Sequence, residues 1–570
     1  MKKQIVSLLL ILCFVLSAFV LASCDKNGKK TDTTEPATEP VASDTQDATT
    51  ATTADKWEKL APKVTMMTES SRQLKIEYSM KKNAEKASKN EIYLQGPDEV
   101  VDGVTPGIQE MIYKRNKAAE DLLGIKITYQ TSDYEYGKQA GHIDLVVKGN
   151  AADAPDLFVN MLYDLNIELM QGSFKDVKSI PNSFFDFDTD GWLKEWMENL
   201  SFTGDRAYIL GSDYFLDVFR AVSLLPFNMN LMNENAVKLA PAILEEGDEL
   251  GTGEELTARF FDLVDSRKWT WDVLGKLCEA IWEDRDNDSS DSINDRLGII
   301  ADRFGGVNAA SFLYSCGLEI TKVSTIEDES SEYNHKQWLT FPADSEAAGL
   351  NLIFGKVKAV FEGSGSLATS ATFSGNTPET PGSAYHHTKF GQDELLFAGA
   401  CTLGTLEDDA FQNMESLYSV VPFPLIASSE GYDYNTIIIN QGDAGAINVH
   451  VKPPKAKALT AFIQYCTEKS PAIREQFLQI VMKYKVTTYN QGTDRMLNII
   501  YEGIRFDRDK TVDDLICANN RGNRWHSLLK DNEFEGGASY ITTQYESLLS
   551  QKQAALDEAL RTWYTLPITE

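Results

Sequence analysis

Beyond residue 105, stretches with apolar residues at helical spacing alternate with short runs rich in β-branched and aromatic residues, and this alternation confines the chain to a layered α/β fold. The helix signal is plain over Gly107–Leu123, where Ile108, Met111, Ile112, Ala118, Ala119, Leu122 and Leu123 share one stripe and Gly124 supplies a stop. A strand follows at once over 125–129. Residues 156–159, preceded by Pro155, predict a second strand that runs into a helix ending near Gly172. Residues 207–210 and 222–225 read as further strands parted by Gly211-Ser212-Asp213. Thr270 is the expected N-cap of a helix over 271–282, with Asp272 in its first turn. A long C-terminal helix carries Ile541, Tyr545, Leu548, Leu549, Leu556, Leu560 and Trp563. No internal repeat interrupts this pattern, and 570 residues are enough for two or three packed lobes.

The N-terminus is of another kind. Lys2 and Lys3 precede an apolar run over residues 5–21, interrupted by Ser7 and Ser17, and Leu21-Ala22-Ser23-Cys24 closes it. A basic segment, an apolar segment and small residues before a cysteine predict a lipoprotein signal peptide over 1–23, with Cys24 lipidated after cleavage. Residues 24–56 then read as a disordered tether of Thr, Ala, Asp, Glu, Pro and Lys, with no aromatic residue and Val41 as the branched aliphatic. Such a segment cannot bury enough apolar surface to offset its ordering entropy. As a random coil it reaches roughly 30 Å, which sets the soluble part clear of the extracytoplasmic face of a bacterial membrane.

The net charge is −31, and losing the two signal lysines makes it more negative still. That balance excludes nucleic acid as a partner, because phosphates need Lys and Arg to displace their counterions. It equally disfavours electrostatic docking on anionic lipid. Beyond Cys13 and Cys24, the five cysteines at 278, 316, 401, 466 and 517 are widely spaced, odd in number and form no CxxC, so buried free thiols are expected. No GxSxG, HExxH, P-loop or GxGxxG occurs, and no cofactor is called for. Asp284, Asp286 and Asp288, with Asp295 further on, approximate the start of a calcium loop. Ser289 stands where that loop needs Gly and Asp291 where it needs an apolar residue, so a solvated acidic turn is the expectation and no metal. His386-His387 reads as a surface loop.

Several short segments resemble, in order and spacing, the extracellular solute-binding proteins that deliver carbohydrates to ABC importers. They are Arg115-Asn116 with residues 122–127, Ala154-Pro155-Asp156-Leu157-Phe158, Gly204-Asp205-Arg206-Ala207-Tyr208, Phe227-Asn228-Met229-Asn230, Trp269-Thr270-Trp271-Asp272 and Val420-Val421-Pro422-Phe423-Pro424. Residues 495–508 are similar to the long Gram-positive members. The resemblance implies a two-lobed α/β fold, each lobe a sheet flanked by helices, joined by a hinge of several crossings. Lobe 1 is expected over 57–225 with a return over 447–490. Lobe 2 is expected over 226–446, and 491–570 as a helical part mostly in lobe 2. The implied partners are a carbohydrate held between the lobes and the permease subunits of the importer.

Ligands of α/β sheets sit beyond strand C-termini, so cleft residues are sought on those loops. The candidates are Asn160, Tyr163, Asp213, Tyr214, Arg303, Asn308, Thr402, Tyr432 and Tyr434, since sugars need aromatic faces for C–H surfaces and amide or acidic groups for hydroxyls. The same export signal, tether and aromatic content also suit a lipid-anchored polysaccharide hydrolase with two carboxylates, or a surface adhesin with no small ligand.

Overall fold

In a computed structural model, residues 47–566 are described apart from 82–90, 102–106, 135–137, 254, 303–305, 347, 370–375, 378–379, 382, 400, 430, 440, 483–490, 505–507, 518–523 and 530–536. The chain divides into two units at Lys56 and Trp57. The described part of the first unit is the start of the helix Asp47–Thr65, so the last ten residues of the expected tether are helical. Cys24 and the signal segment lie outside the described residues. Among the described residues no helix is long and apolar enough to cross a membrane.

The second unit is built on two five-stranded sheets. The first sheet contains β1 (Gln73–Lys81), β2 (Lys126–Tyr134), β3 (Leu157–Met161), β4 (Ile209–Leu210) and β14 (Asp443–Ile447), in the order β2-β1-β3-β14-β4. β1 runs parallel to β2 and β3, whereas β14 runs antiparallel to its neighbours β3 and β4. The second sheet contains β5 (Leu225–Asn228), β6 (Leu297–Asp302), β9 (Ser366–Thr369), β12 (Leu395–Ala398) and β13 (Tyr418–Val421), in the order β13-β5-β12-β6-β9. Here β5 alone opposes the other four strands. Two hairpins complete the strands, β7 (Lys322–Thr325) with β8 (Gln337–Thr340), and β10 (Asn376–Thr377) with β11 (Thr380–Pro381).

Helices follow the strands as the pattern required. Gly107–Leu123 buries Ile108, Ile112, Ala119 and Leu123 and ends at Gly124, whose φ of +60° is the left-handed stop that glycine tolerates. Thr270 caps Trp271–Ile281 by accepting the Val273 N–H. The core of the second lobe is aromatic: Trp269 stacks on Phe397 of β12 at 5.5 Å, and Phe260 meets Phe227 of β5 edge-on at 5.0 Å. The first lobe is packed on Leu74, Ile76, Leu157, Phe158 and Val159, all fully buried.

The chain leaves the first sheet after β4 and enters the second at β5, so the first crossing spans 211–224. It returns between β13 and β14, over 422–442. That is earlier than the expected boundary at 447, because Asp443–Ile447 is already a strand of the first sheet. The five cysteines named above are buried and free.

Candidate functional site

Register places the site. Met161 ends β3 opposite Asp443, where β14 begins, and β4 runs parallel to β3, so chain exit and re-entry share one edge of the first sheet. In the second sheet β12 ends at Ala398, and the loop after it turns back to the crossings. There the two crossings lie side by side. Val222 bridges Ile438 and Ser223 bridges Thr402. The N–H of Ser223 donates to Ile437, that of Ile439 to Ala221 and that of Leu403 to Val222. Close approach is written into the glycines: a Cβ on Gly442 would stand 2.7 Å from the Ala221 methyl, and one on Gly445 would enter the Phe215 ring.

Over this paired segment opens a concavity of about 260 Å³. Asp217, Arg220 and Ala221 come from the first crossing, Ile439 and Gln441 from the second, and Thr402, Gly404, Thr405 and Asp408 from the loop after β12. Arg220 organises its charge. Its Nη1 donates to Asp217 Oδ1 at 2.8 Å, while Nε and Nη2 form a fork on the Glu407 carboxylate at 3.1 and 3.2 Å. Asp217 Oδ2 accepts the Asp443 N–H at 3.2 Å, which ties the two crossings together. Burial lowers the Arg220 pKa, yet Asp217 and Glu407 outweigh it and the net shift is upward. From the first lobe, the Tyr93 hydroxyl donates to Glu407 Oε1 at 3.3 Å, and burial pushes that hydroxyl far up. Thr402 and Thr405 form a reciprocal capping box that fixes the loop.

A second polar chain joins the lobes deeper in the protein. Arg474, on the helix Pro471–Met482, donates from Nη1 to Asp213 Oδ2 at 2.7 Å and to the Tyr501 hydroxyl at 2.7 Å. Tyr501 in turn stacks on Phe219 of the first crossing at 5.7 Å. Burial raises the Asp213 carboxyl to about 7, against the pull of Arg474.

The expected site residues divide sharply. Thr402 lines the concavity. Asp213 is in the interlobe chain just described. Asn160 is buried on β3 with its Oδ1 turned onto the Met161 N–H, and Tyr163 is buried on the helix Leu162–Leu169. Tyr432 is half-buried beside Gly317. Tyr214 and Tyr434 are core side chains in place of the expected stacking platforms. Tyr214 is fully buried beneath the Arg115 guanidinium and against Phe215 and Phe462, and the Tyr434 hydroxyl donates to the Val264 carbonyl at 3.0 Å. Arg303 lies outside the described residues, as does the side chain of Asn308. Asp217, Arg220, Glu407, Asp408 and Gln441 were not expected; the nearest signal was the Asp217-x-x-Arg220 spacing just after β4.

The other sequence candidates resolve as follows. Carboxylate oxygens of Asp284, Asp286 and Asp295 lie within 4.8 Å of one another, while Asp288 turns to Ser290. The donors are engaged in the loop: Asp284 accepts the N–H groups of Asp288 and Ser289, and Asp295 those of Arg285 and Ser292. His386 and His387 are buried on the helix Ser383–Gly391, contrary to the surface loop expected, and His387 faces the Cys401 thiol at 3.4 Å. Burial lowers His387 to about 4 and pushes the thiol far up, disfavouring the charged form of each.

No family model matches the chain, and no curated protein does. Among solved structures, the GacH receptor of Streptomyces glaucescens, determined unliganded and with acarbose, aligns at 12% identity and a TM-score of 0.44, over 84% of this chain and 99% of that one. A cyclic alpha-maltosyl-1,6-maltose binding protein from Arthrobacter globiformis aligns at 10% identity and a TM-score of 0.47, over 86% and 99%. An ABC substrate-binding protein from Listeria monocytogenes, in complex with cycloalternan, aligns at 12% identity and a TM-score of 0.44, over 86% and 99%.

Proposed function

We propose that this chain is a solute-binding protein that captures a sugar or oligosaccharide between its two lobes and hands it to an ABC permease at the extracytoplasmic face of a bacterial membrane, anchored by a lipid on Cys24. The observation that carries the reading is the meeting of the two sheets at one edge, where paired crossings floor a polar concavity. An open α/β sheet offers its ligand site at the carboxyl edge, and here two such edges share one. A hinge of this kind works by differential affinity: contacts made in the closed form alone shift the balance between open and closed, and a membrane partner reads the difference. The signal pattern before Cys24 and the acidic charge support export and a solute other than nucleic acid.

The test is a thermal-shift screen of the soluble part, from Lys56 onward, against neutral mono- and oligosaccharides. A solute at 100 times its Kd stabilises the folded state by about 2.7 kcal/mol. It should be recovered intact after hours at equimolar ratio, whereas shorter products over many turnovers would make the protein a hydrolase. In the full chain, Cys24→Ala should move the protein from the detergent phase to the aqueous phase; unchanged partitioning would remove the anchor from the proposal.

A further inference from the structure

The C-terminal helix, Gly537–Thr565, is 29 residues long, which at 1.5 Å per residue makes it roughly 43 Å from end to end. Its body belongs to the second lobe. It packs along the helix Leu350–Glu362, strand β8 and the helix Arg508–Ile516. Tyr545 stacks on Trp525 at 4.7 Å and donates its hydroxyl to the Pro342 carbonyl at 2.7 Å. Gln553 accepts the Phe341 N–H, Asp557 accepts the Trp338 indole N–H at 2.9 Å, and Lys552 forms a buried ion pair with Asp513.

Its last turn touches both lobes: Tyr564 stacks on Trp338 of β8 at 6.2 Å, and Trp563 beside it reaches the first lobe. Trp563 is fully buried and sits edge-on to Phe202 and to Tyr208, each at 5.2 Å, just ahead of β4 in the first sheet. The Trp563 indole N–H donates to Thr203 Oγ1 at 3.0 Å. Arg206 reaches back and donates from Nη1 to the carbonyls of Trp563 and Leu566 at 2.9 and 3.4 Å, closing the helix C-terminus with a cation from the first lobe. Neither the helix nor residues 202–206 lies on the crossings at 211–224 and 422–442, so this joint is separate from the hinge.

We propose that the C-terminal helix is a clasp: fixed along the second lobe, it helps hold the lobes in the arrangement described here by docking Trp563 into the first, beside the helix Arg508–Ile516, which meets the first-lobe helices Leu162–Leu169 and Lys194–Leu200. The clasp deepens the proposed function by setting how much of the solute-free protein is open. Two edge-on aromatic contacts, each shifting an equilibrium by roughly two- to tenfold, are enough to decide a balance of a few per cent.

The experiment measures a distance in solute-free protein. In the part from Lys56 onward, spin labels go on cysteines introduced at Leu145 and Val237, exposed positions on helices of the first and second lobes, the five native cysteines of that part being buried. Relative to the parent, Trp563→Ala and the milder Arg206→Gln should enlarge a longer-distance population, roughly tenfold for the former, and Trp563→Phe should return most molecules to the short distance. Distance distributions identical to the parent in folded Trp563→Ala and in Arg206→Gln would overturn the clasp. Failure of the proposed function is read separately, as the absence of stabilisation of the parent by any neutral sugar.

Discussion

Two networks of charge in this protein, one built on a lysine and one on an arginine, are put to opposite ends. In the second lobe, Lys552 pairs with Asp513: Tyr314 donates its hydroxyl to Asp513 at 2.6 Å, the Trp525 backbone N–H donates to it at 2.6 Å, and the Lys552 ammonium lies 4.1 Å over the Trp525 ring. Both charged side chains are almost wholly buried. At the crossings, Arg220 holds Asp217 and Glu407 with about a fifth of its side chain exposed, and its partners come from pieces that belong to different lobes. A charge whose partners all belong to one lobe holds that lobe together, whereas one whose partners come from different pieces beside an open concavity feels any change in their spacing. Asp213 stands between these cases, as buried as Asp513 yet tied through Arg474 to Tyr501 across the lobes.

The contrast is tested most severely in the sealed network. Lys552→Ala strands a buried carboxylate and should cost about 3–5 kcal/mol in urea unfolding while the folded fraction binds solute with its usual affinity. A cost below about 1 kcal/mol would mean that the network is not sealed. Asp213 is probed by pH. Burial raises its carboxyl from 3.8 to about 7, so between those values the folded chain holds a proton that the unfolded chain has lost. Its contribution is therefore complete below about pH 4 and is lost as pH rises through about 7. Asp213→Asn should remove that decline from a plot of melting temperature against pH; an unaltered slope would assign the titration to another group. The smallest effect on stability is expected at the crossings. Glu407→Gln removes the charge that the Arg220 fork holds beside the concavity and should cost under about 1 kcal/mol, since both side chains of that pair are partly solvated, yet it should alter solute affinity measurably. Unchanged affinity would erase the distinction between the two networks.

What could be read from the chain in advance follows from the range of the interactions. Gly107–Leu123, its Gly124 stop, the Thr270 cap and the C-terminal helix are local patterns, and the structure has them within a residue or two where boundaries were expected. The return strand escaped notice because Asp443-Ala-Gly-Ala-Ile447 lacks strand-forming character; its Gly445 answers to Phe215, and Gly442 just ahead of it to Ala221, both more than 220 positions earlier. Tyr214 and Tyr434 were misplaced for a related reason. A tyrosine after a strand looks alike whether its loop turns toward solvent or toward a waiting Arg115 or Val264. Arg220 and Glu407 are 187 positions apart, and nothing in either neighbourhood names the other.

The place of β14 also has a consequence in time. It is the central partner that joins β3 to β4, and it lies beyond the whole of the second sheet in the chain. A nascent polypeptide that has delivered its first 440 residues therefore holds β3 with one side bare and β4 with no neighbour. Pairings of such long sequence separation form late and slowly. The first sheet, though made first, is finished last.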